Sequence, residues 1–477
     1  MANPATQPLS IVADVIVNAS PSAAIQPTFN HGLIIGSSPR IPSATRLIFL
    51  LQGSWQTTMA TAGYLTTDPE YIAMGMYFNQ AEPPQFGWVG LQNLTAIQTA
   101  IPHSGNPGTG YAVGDVVSVV QSGASLGQLA VATIGTGGTV TGLNKIIGSQ
   151  GTGYSVASAL STTGGSGTGL EVDITAIGET KLDALTACRA ASFAWWGFYI
   201  IGSTASDHEA LAAGVQSMTP PAFDFGHTWD ASVLTGASGN VLSVLQAQNY
   251  GRIIIFYSTT QNGVAANNAY MAAAVMGYAM GKNTGLAGSY FSLANNPLVG
   301  VTPEPLTSTE ISTISGIPTA GTTGNNGNVY IGLGYNPSNG SSSYQTMQQG
   351  VLPNGKFFDQ VLFMDMLISA IQYAVINGFQ SAQVGRTNAD QTMILNWVAS
   401  ACEQFVGIGF LAPGAYGGSV PILGLNPGDP MPNGYVVMSA KYPTPRPAGR
   451  AAMPVYAVVF EKGAAQSVVI QVNPVLG

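Results

Sequence analysis

The stretch RIIIFYSTTQNGVAANNAYMAAAVMGYAM, residues 252–280, decides the fold class of this chain. Within its first seven residues, RIIIFYS, the stretch IIIFY (253–257) is apolar without polar alternation, which is typical of a strand buried on both faces. Its last part, NNAYMAAAVMGYAM, has the length and composition of a helix. A buried strand followed by a helix favours a parallel sheet covered by helices, because parallel neighbours need a crossover connection.

The same alternation of strands and helices extends on both sides of this stretch. Asp68 and Pro69 open a predicted helix, as N-cap and first-turn residue, between two apolar strands. The other segments are the strands GLIIG (32–36), QFGWVGL (85–91) and FAWWGFYIIG (193–202), and the helices DPEYIAMGMYFNQ (68–80), KLDALTACRAA (181–191) and SDHEALAAGVQSM (206–218). We therefore predict an α/β domain over residues 26–103 and 179–344.

Residues 104–178 differ in composition from the rest and consist largely of Gly, Thr, Ser and Val. Runs such as QLAVATI (128–134) alternate at period two and predict strands, with Gly-rich turns between them. GTGY occurs at 108–111 and again at 151–154, which suggests an internal duplication. We predict a small all-β domain inserted into a surface loop, where long insertions cost little. Neither GTGY copy leads into a helix, so a dinucleotide site is not indicated.

The charge content is unusually low and narrows the class of protein. Charged residues make up 7% of the chain and hydrophobic residues 46%, whereas typical soluble domains carry about 25% charged residues. Disorder does not fit so apolar a composition. The densest apolar runs, such as FAWWGFYII (193–201), are shorter than the roughly 20 residues of a spanning helix, so no membrane insertion is expected. The remaining explanation for the low charge content is that copies of the chain or other proteins cover its surface.

Charge and cysteine usage exclude further classes. The net charge is −8 and the basic residues are scattered, so nucleic-acid binding is not expected. The amino terminus MANPATQPLS lacks the basic start and apolar core of a secretory signal, and we expect folding in a cytoplasm. Cys188 and Cys402 are then expected to be buried free thiols.

No catalytic or metal site is indicated. The four histidines, His31, His103, His208 and His227, show no metal-ligand spacing, and no G-x-S-x-G elbow is present. Asp359 and Asp365 lie six residues apart on one predicted helix and should face different directions. We therefore predict that the protein is not an enzyme and has no cofactor. The apolar stripe of that helix is expected in the core and comprises Phe357, Val361, Met364, Ile368 and Ile371.

The two termini carry extended apolar segments. SIVADVIVN (10–18) has apolar side chains on both faces, and MPVYAVVFEKGAAQSVVIQV (453–472) predicts two strands around a turn at 462–465. Such strands need a sheet to join, in their own chain or in a neighbour. Both possibilities are open at this point. Pairing with a neighbour would be a heterologous contact and would generate a ring or an open helical polymer.

In ordered succession, several segments resemble the contractile tail sheath proteins of bacteriophages. They are TFNHGLIIGSSPRIPSATR (28–46), NNPLVGVTPEPLTSTEISTI (295–314), NGKFFDQVLFMDMLISAIQYAVINGF (354–379) and GRAAMPVYAVVFEKGAAQSVVIQV (449–472). The resemblance covers nearly the whole chain except residues 104–178. It implies an α/β and α+β multidomain fold, in which a parallel-sheet sheath core carries the inserted all-β domain and extended strand arms at both termini.

The resemblance also implies how the remaining regions are used. Residues 1–25 would form an N-terminal arm, residues 345–452 an inner helical and sheet domain, and residues 453–477 a C-terminal arm. In the family these arms lend strands to neighbouring subunits. The interface residues would be Ile11, Val12, Val15, Val17, Val468, Val469, Ile470 and Val472.

The function implied is that of a structural subunit of the sheath. Its copies would form a helical polymer of stacked rings around the tail tube and contract to drive the tube through the host envelope. The partners would be the tail tube, baseplate and tail terminator proteins, with assembly in the host cytoplasm and residence in the virion tail. The alternative is a receptor- or glycan-binding surface protein, an adhesin, that uses the Gly-rich insert.

Overall fold

The computed structural model describes residues 28–261, 266–336, 342–444 and 450–469. Before the insertion the chain forms β1 (His31–Gly36), β2 (Leu47–Leu51), α1 (Trp55–Thr61), α2 (Pro69–Phe78) and β3 (Phe86–Leu91). The insertion contains β4 (Ile97–Thr109), β5 (Val116–Val119), β6 (Ser125–Ile134), β7 (Val140–Thr152), β8 (Ala157–Gly164) and β9 (Thr168–Ile177).

The chain then completes the central domain and continues into a C-terminal unit. The central domain adds α3 (Lys181–Ala191), β10 (Gly197–Ile200), α4 (Ala205–Gln216), β11 (Phe223–Thr228), α5 (Ser232–Thr235), α6 (Val241–Ala247), β12 (Ile253–Tyr257), α7 (Met271–Gly281), α8 (Ser308–Ser315), β13 (Asn328–Asn336) and β14 (Ser342–Gln348). The C-terminal unit has α9 (Phe358–Ser381), α10 (Asn388–Ile408), β15 (Gly414–Ala415), β16 (Pro430–Met431), β17 (Tyr435–Ser439) and β18 (Val455–Val459).

Eight of the described strands form the central sheet, in the order β14-β13-β12-β11-β10-β1-β3-β2. The strands from β13 to β3 run parallel, and β14 and β2 are antiparallel edges. Ile34 and Tyr199 belong to the core beneath α2 and α7, whereas Leu33 and Phe198 pack with α3 and α4. Helices therefore cover both faces, which explains strands that are apolar throughout. Cys188 and Cys402 are free and buried, as expected.

Strand β11 carries no apolar run and could not be recognised from the sequence. All six of its residues, FDFGHT, are buried in the middle of the sheet. Its polar members have buried neighbours: the Asp224 carboxylate lies 3.7 Å from Nδ1 of His208, and the His227 carbonyl lies 3.2 Å from Nε2 of the same ring. Helix α4, which supplies His208, thus places an imidazole ring beside the polar residues of this central strand.

The inserted sheet has the strand order β4-β9-β8-β5-β6-β7 and curls until β4 lies beside β7. A separate apolar core fills it. The sheet begins at Ile97, before the predicted boundary at residue 104. The change in composition misses the start of β4 because this strand contains Pro102 and Pro107, and its pairing with β9 is irregular at that point.

The duplicated GTGY motifs form equivalent turns that bury their tyrosines. Gly108 and Gly151 both have positive φ, and a Cβ on either would lie within 2.7 Å of the tyrosine ring of its own motif. Tyr111 and Tyr154 are 5% and 2% exposed. The Tyr154 hydroxyl donates to the Val119 carbonyl at 2.8 Å and accepts from the Gly127 amide at 3.1 Å. The repeat is therefore part of the insert's core.

A buried ion pair attaches the C-terminal unit to the central sheet. Arg252 precedes β12, and its guanidinium donates to both carboxylate oxygens of Asp365 on α9, at 2.7 and 2.9 Å. The Trp196 indole, just before β10, donates to the same carboxylate at 2.9 Å. Arg252 and Asp365 are 5% and 4% exposed. Because Arg252 and Trp196 both precede parallel strands, α9 lies at the amino edge of the sheet.

We predict that Asp365→Asn destabilises the protein strongly. The change preserves size but leaves the buried Arg252 guanidinium without a countercharge, which costs about 3–5 kcal/mol of unfolding free energy. The matched control is Glu82→Gln, which breaks the ion pair to Lys282 at a carboxylate that is 59% exposed, where the loss should be about 0–1 kcal/mol. Urea unfolding measures both, and equal small losses would contradict the prediction.

Candidate assembly interface

The C-terminal unit is a helical hairpin that carries a small sheet. Helices α9 and α10 pack against each other, and α10 supports β17 and β18. The buried side of α9 is formed by Phe358, Leu362, Phe363, Leu367, Ile368, Ile371 and Val375. Ile368 and Ile371 of the predicted stripe are buried in the core, Val361 and Met364 are partly buried and pack against it, and Phe357 is only partly buried. The helix packs against the central domain as well as α10, so one stripe does not describe its contacts.

Helix α9 also corrects an expectation about membrane insertion. It is long and apolar enough to cross a membrane, judged by length and composition alone. The expectation that no apolar run reaches this length is therefore wrong, because Asp359 and Asp365 interrupt the run without making the helix polar on average. More than half of its most apolar window, 56%, is buried inside the fold. Its buried carboxylates have protein partners, as is usual in a core helix.

Strands β17 and β18 form an antiparallel ladder from Tyr435 opposite Val459 to Ser439 opposite Val455. In the described part of the chain, these two strands form a sheet of their own. One side of it rests on the helical core through Tyr435, Val437, Val455 and Val459. On the other side Tyr456 is 43% exposed. An isolated two-stranded sheet is marginal in water, and its edges can accept a further strand.

The base of this sheet is bonded to the loop after α10. The Ala412 amide donates to the Phe460 carbonyl at 3.2 Å, and the Lys462 amide donates to the Phe410 carbonyl at 2.8 Å. The Gln360 amide group, in the first turn of α9, donates to the Glu461 carboxylate at 2.9 Å. The outgoing C-terminal segment is thus held where it leaves β18.

The predicted domain limits cut across these elements. The boundary between residues 344 and 345 falls inside β14, which belongs to the central sheet. Strand β18 was assigned to the C-terminal arm from residue 453 onward, but it pairs with β17 and belongs to the C-terminal unit. Pairing partners distant in sequence decide membership of a sheet, and the local pattern does not contain that information.

The predicted arm residues are only partly described. Val468 and Val469 are 72% and 77% exposed, and residues 467–469 are not in a strand. A strand over 467–472 is thus not formed at residues 467–469, and within the described ranges no strand is paired with them. The remaining predicted interface residues lie outside the described residues; they are Ile11, Val12, Val15, Val17, Ile470 and Val472.

The candidate catalytic or metal-binding side chains considered from the sequence include several with structural partners. Asp359 accepts from the Tyr290 hydroxyl and Asp365 from Arg252, so the two carboxylates serve different contacts. His31 contacts the Ala194 carbonyl, and His103 pairs with Asp173. In the described ranges, no group of three His, Cys, Asp or Glu residues is arranged to hold a metal ion.

The insert offers little to the adhesin alternative. Apart from His103, its only aromatic residues are Tyr111 and Tyr154, and both are buried. Its exposed apolar residues are aliphatic, for example Leu126 and Val156. Ligand pockets normally combine aromatic walls with convergent polar groups. Neither tyrosine of the insert is therefore exposed for stacking on a sugar.

The C-terminal unit is thus a helical hairpin with a two-stranded sheet, followed by an exposed apolar segment at residues 467–469. A sheet edge can accept a further strand from another segment or chain. Residues 358–474, about a quarter of the chain, match the family described as E217 tail sheath protein gp31-like, C-terminal domain. This match confirms the resemblance to phage tail sheath proteins. The family is structural and non-enzymatic, and it implies a homo-oligomeric component of a virion tail. Among curated proteins, no match to the chain was found.

We predict that Asp359→Asn flattens the pH dependence of stability. Burial raises the pKa of Asp359 from 3.8 to about 6. Between these values the folded state binds more protons than the unfolded state, so stability falls as pH rises through this window. The variant lacks this titration and should exceed the wild type most clearly above pH 6.

Urea unfolding at several pH values from 4 to 8 measures this effect. Other groups titrate in this range in both proteins: burial raises the pKa of Glu461 and lowers the pKa of His227 to about 4, with opposite effects on the slope. The prediction therefore concerns the difference between the two stability curves. Parallel stability curves of wild type and variant across the window would contradict the prediction.

Proposed function

We propose that this chain is the structural subunit of a phage contractile tail sheath. Its copies polymerise as a helical sleeve of stacked rings around the tail tube, and contraction drives the tube through the host envelope. The partners are the tube, baseplate and tail terminator proteins; assembly takes place in the host cytoplasm. The observation that carries the proposal is the β17–β18 sheet, whose strands pair only with each other in the described part of the chain and which lies within the family-matched region.

The terminal arms supply the missing strands in this proposal. The apolar segments at residues 10–18 and 467–472 of one subunit pair with the β17–β18 sheet of its neighbours. Val468 and Val469 are 72% and 77% exposed, which supports an arm whose partner strand belongs to another subunit. Strand addition is heterologous, so it propagates through the assembly and does not close on a dimer. Contraction is then a change between two packings of subunits that stay linked by the exchanged strands.

The position of the insert supports an outward location in the sleeve. The chain enters the insert after β3, at the carboxyl edge of the parallel sheet, and α9 lies at the opposite, amino edge. If the C-terminal unit faces the tube, the insert points away from it. A buried pair between Arg46 and Glu179 and a bond of 2.7 Å from the Asn93 side chain to the Gly151 carbonyl fix the insert to the central domain.

We predict that removing either arm abolishes polymerisation. Full-length protein should form hollow striated tubes in negative-stain electron microscopy, alone or with tail tube and baseplate, whereas variants lacking residues 1–20 or 467–477 should remain folded but unassembled. The control is Val420→Ser, which changes an apolar residue that is 67% exposed outside both arms. Tubes from either truncated variant would contradict the exchange of the arm that it lacks. A full-length chain that never assembles would contradict the sheath assignment.

We predict that the insert is dispensable for polymerisation. Its first and last strands begin and end side by side, with Ile97 opposite Ile177, so a short Gly-Ser linker can replace residues 97–177. The variant should form tubes of smaller outer diameter and unchanged inner diameter, measured on electron micrographs. Loss of tubes from a variant whose remaining part is folded would contradict this arrangement, and so would a change in the inner diameter.

A further inference from the structure

The C-terminal segment is attached to its own subunit at a second place beyond the base of β18. Gly463, Ala464 and Ala465 are exposed, and Gly463 has a positive φ with open space around it. The next residue, Gln466, is partly buried, and its main chain and side chain both form hydrogen bonds. Ser467 and the two residues after it are exposed again. Gln466 is thus the last anchored residue in the described part of the segment.

Gln466 is anchored on the central domain. The Asn295 side-chain amide donates to the Gln466 carbonyl at 2.9 Å, and the Gln466 side-chain amide donates to the Gln349 carbonyl at 3.1 Å. Gln349 directly follows β14, the edge strand of the central sheet. Base and anchor therefore lie on different units, since Lys462 is bonded to the C-terminal unit.

The receiving side of this contact is itself held in place. The backbone amide of Asn295 donates to the Met347 carbonyl at 3.1 Å, and the Asn295 side-chain oxygen accepts from the Gln348 side-chain amide at 3.1 Å. Asn295 has a φ of 64°, a conformation that Asn tolerates better than most residues. These contacts with β14 orient the Asn295 side chain independently of its hydrogen bond to Gln466. We use the term arm clamp for the group formed by Asn295, the backbone carbonyl of Gln349, and Gln466.

We propose that Gln466 is the positioning residue for the C-terminal arm, and that the arm clamp fixes where the exchanged strand begins. This inference rests on the proposed strand exchange and specifies it. The lent segment is residues 467–477, which can reach at most about 40 Å when fully extended. A fixed starting point reduces the conformational freedom lost when a neighbour's sheet captures the arm. Each subunit then presents the segment in the same direction.

The test uses full-length protein with Gln466→Ala, with Asn295→Asp and with both. Asn295→Asp removes the donor to Gln466 and retains the oxygen that accepts from Gln348. A spin label on Val468→Cys reports arm mobility in the monomer, and it reacts selectively because Cys188 and Cys402 are buried. Sedimentation and electron microscopy give the subunit concentration at half-maximal assembly.

Each clamp variant should increase the label's mobility without changing the thermal unfolding temperature, and should raise the half-assembly concentration by about two- to tenfold. The matched control is Gln380→Ala, at an exposed glutamine on α9, and it should change neither readout. Unchanged mobility in the variants would overturn the clamp. Increased mobility with unchanged assembly would overturn its positioning role.

Deletion of residues 467–477 separates this inference from the function on which it rests. If the deletion abolishes assembly while the clamp variants assemble normally, arm exchange stands and the clamp inference is overturned. If the deletion variant assembles as well as the wild type, both the exchange of this arm and the clamp inference are contradicted.

Discussion

The buried pair between Arg252 and Asp365 is the contact on which the arrangement of the whole subunit depends. It joins the amino edge of the central sheet to α9, and the Trp196 indole completes the environment of the carboxylate. A charge buried this deeply tolerates only one geometry, because the alternative is an unpaired ion in a low-dielectric interior. The pair therefore sets the direction in which the C-terminal unit, its small sheet and the root of the arm project from the central domain.

The chain has few charged residues, and several of them form ion pairs within the subunit. Several cations are used inside the subunit, in the pairs Arg46–Glu179, Arg252–Asp365, Lys145–Asp183 and Arg40–Asp68. These four pairs contain eight of the 34 charged residues, which further reduces the charge available for the surface of a chain that has few charges. Under the proposed function, a surface poor in charge would be desolvated at lower cost when subunits pack against each other. Main-chain pairing through lent strands would supply the directional contact that such a surface lacks.

Much of the fold was predictable, and the failures have identifiable physical causes. Helix α3 and strands β1, β3 and β12 follow from local apolar patterns, because burial on both faces leaves a continuous signal. Strand β11 and the start of β4 do not, because their polar residues and prolines are accommodated by contacts with distant segments. The candidate interface was harder to predict from the sequence than the fold. Its apolar ends were visible, but the β17–β18 pairing and the arm clamp join segments far apart in the chain.

The sequence by itself determined the class of the protein: a charge-poor α/β chain with a Gly-rich insert, apolar termini and the succession of segments typical of a phage tail sheath. These properties are local or compositional, so they survive without coordinates. Only the tertiary structure decided which strands pair within the described ranges, that the duplicated tyrosines are buried, and that Gln466 is anchored beside β14. Such features depend on which distant residues meet, and hydrogen-bond pairing and burial across the fold are not encoded in any single stretch.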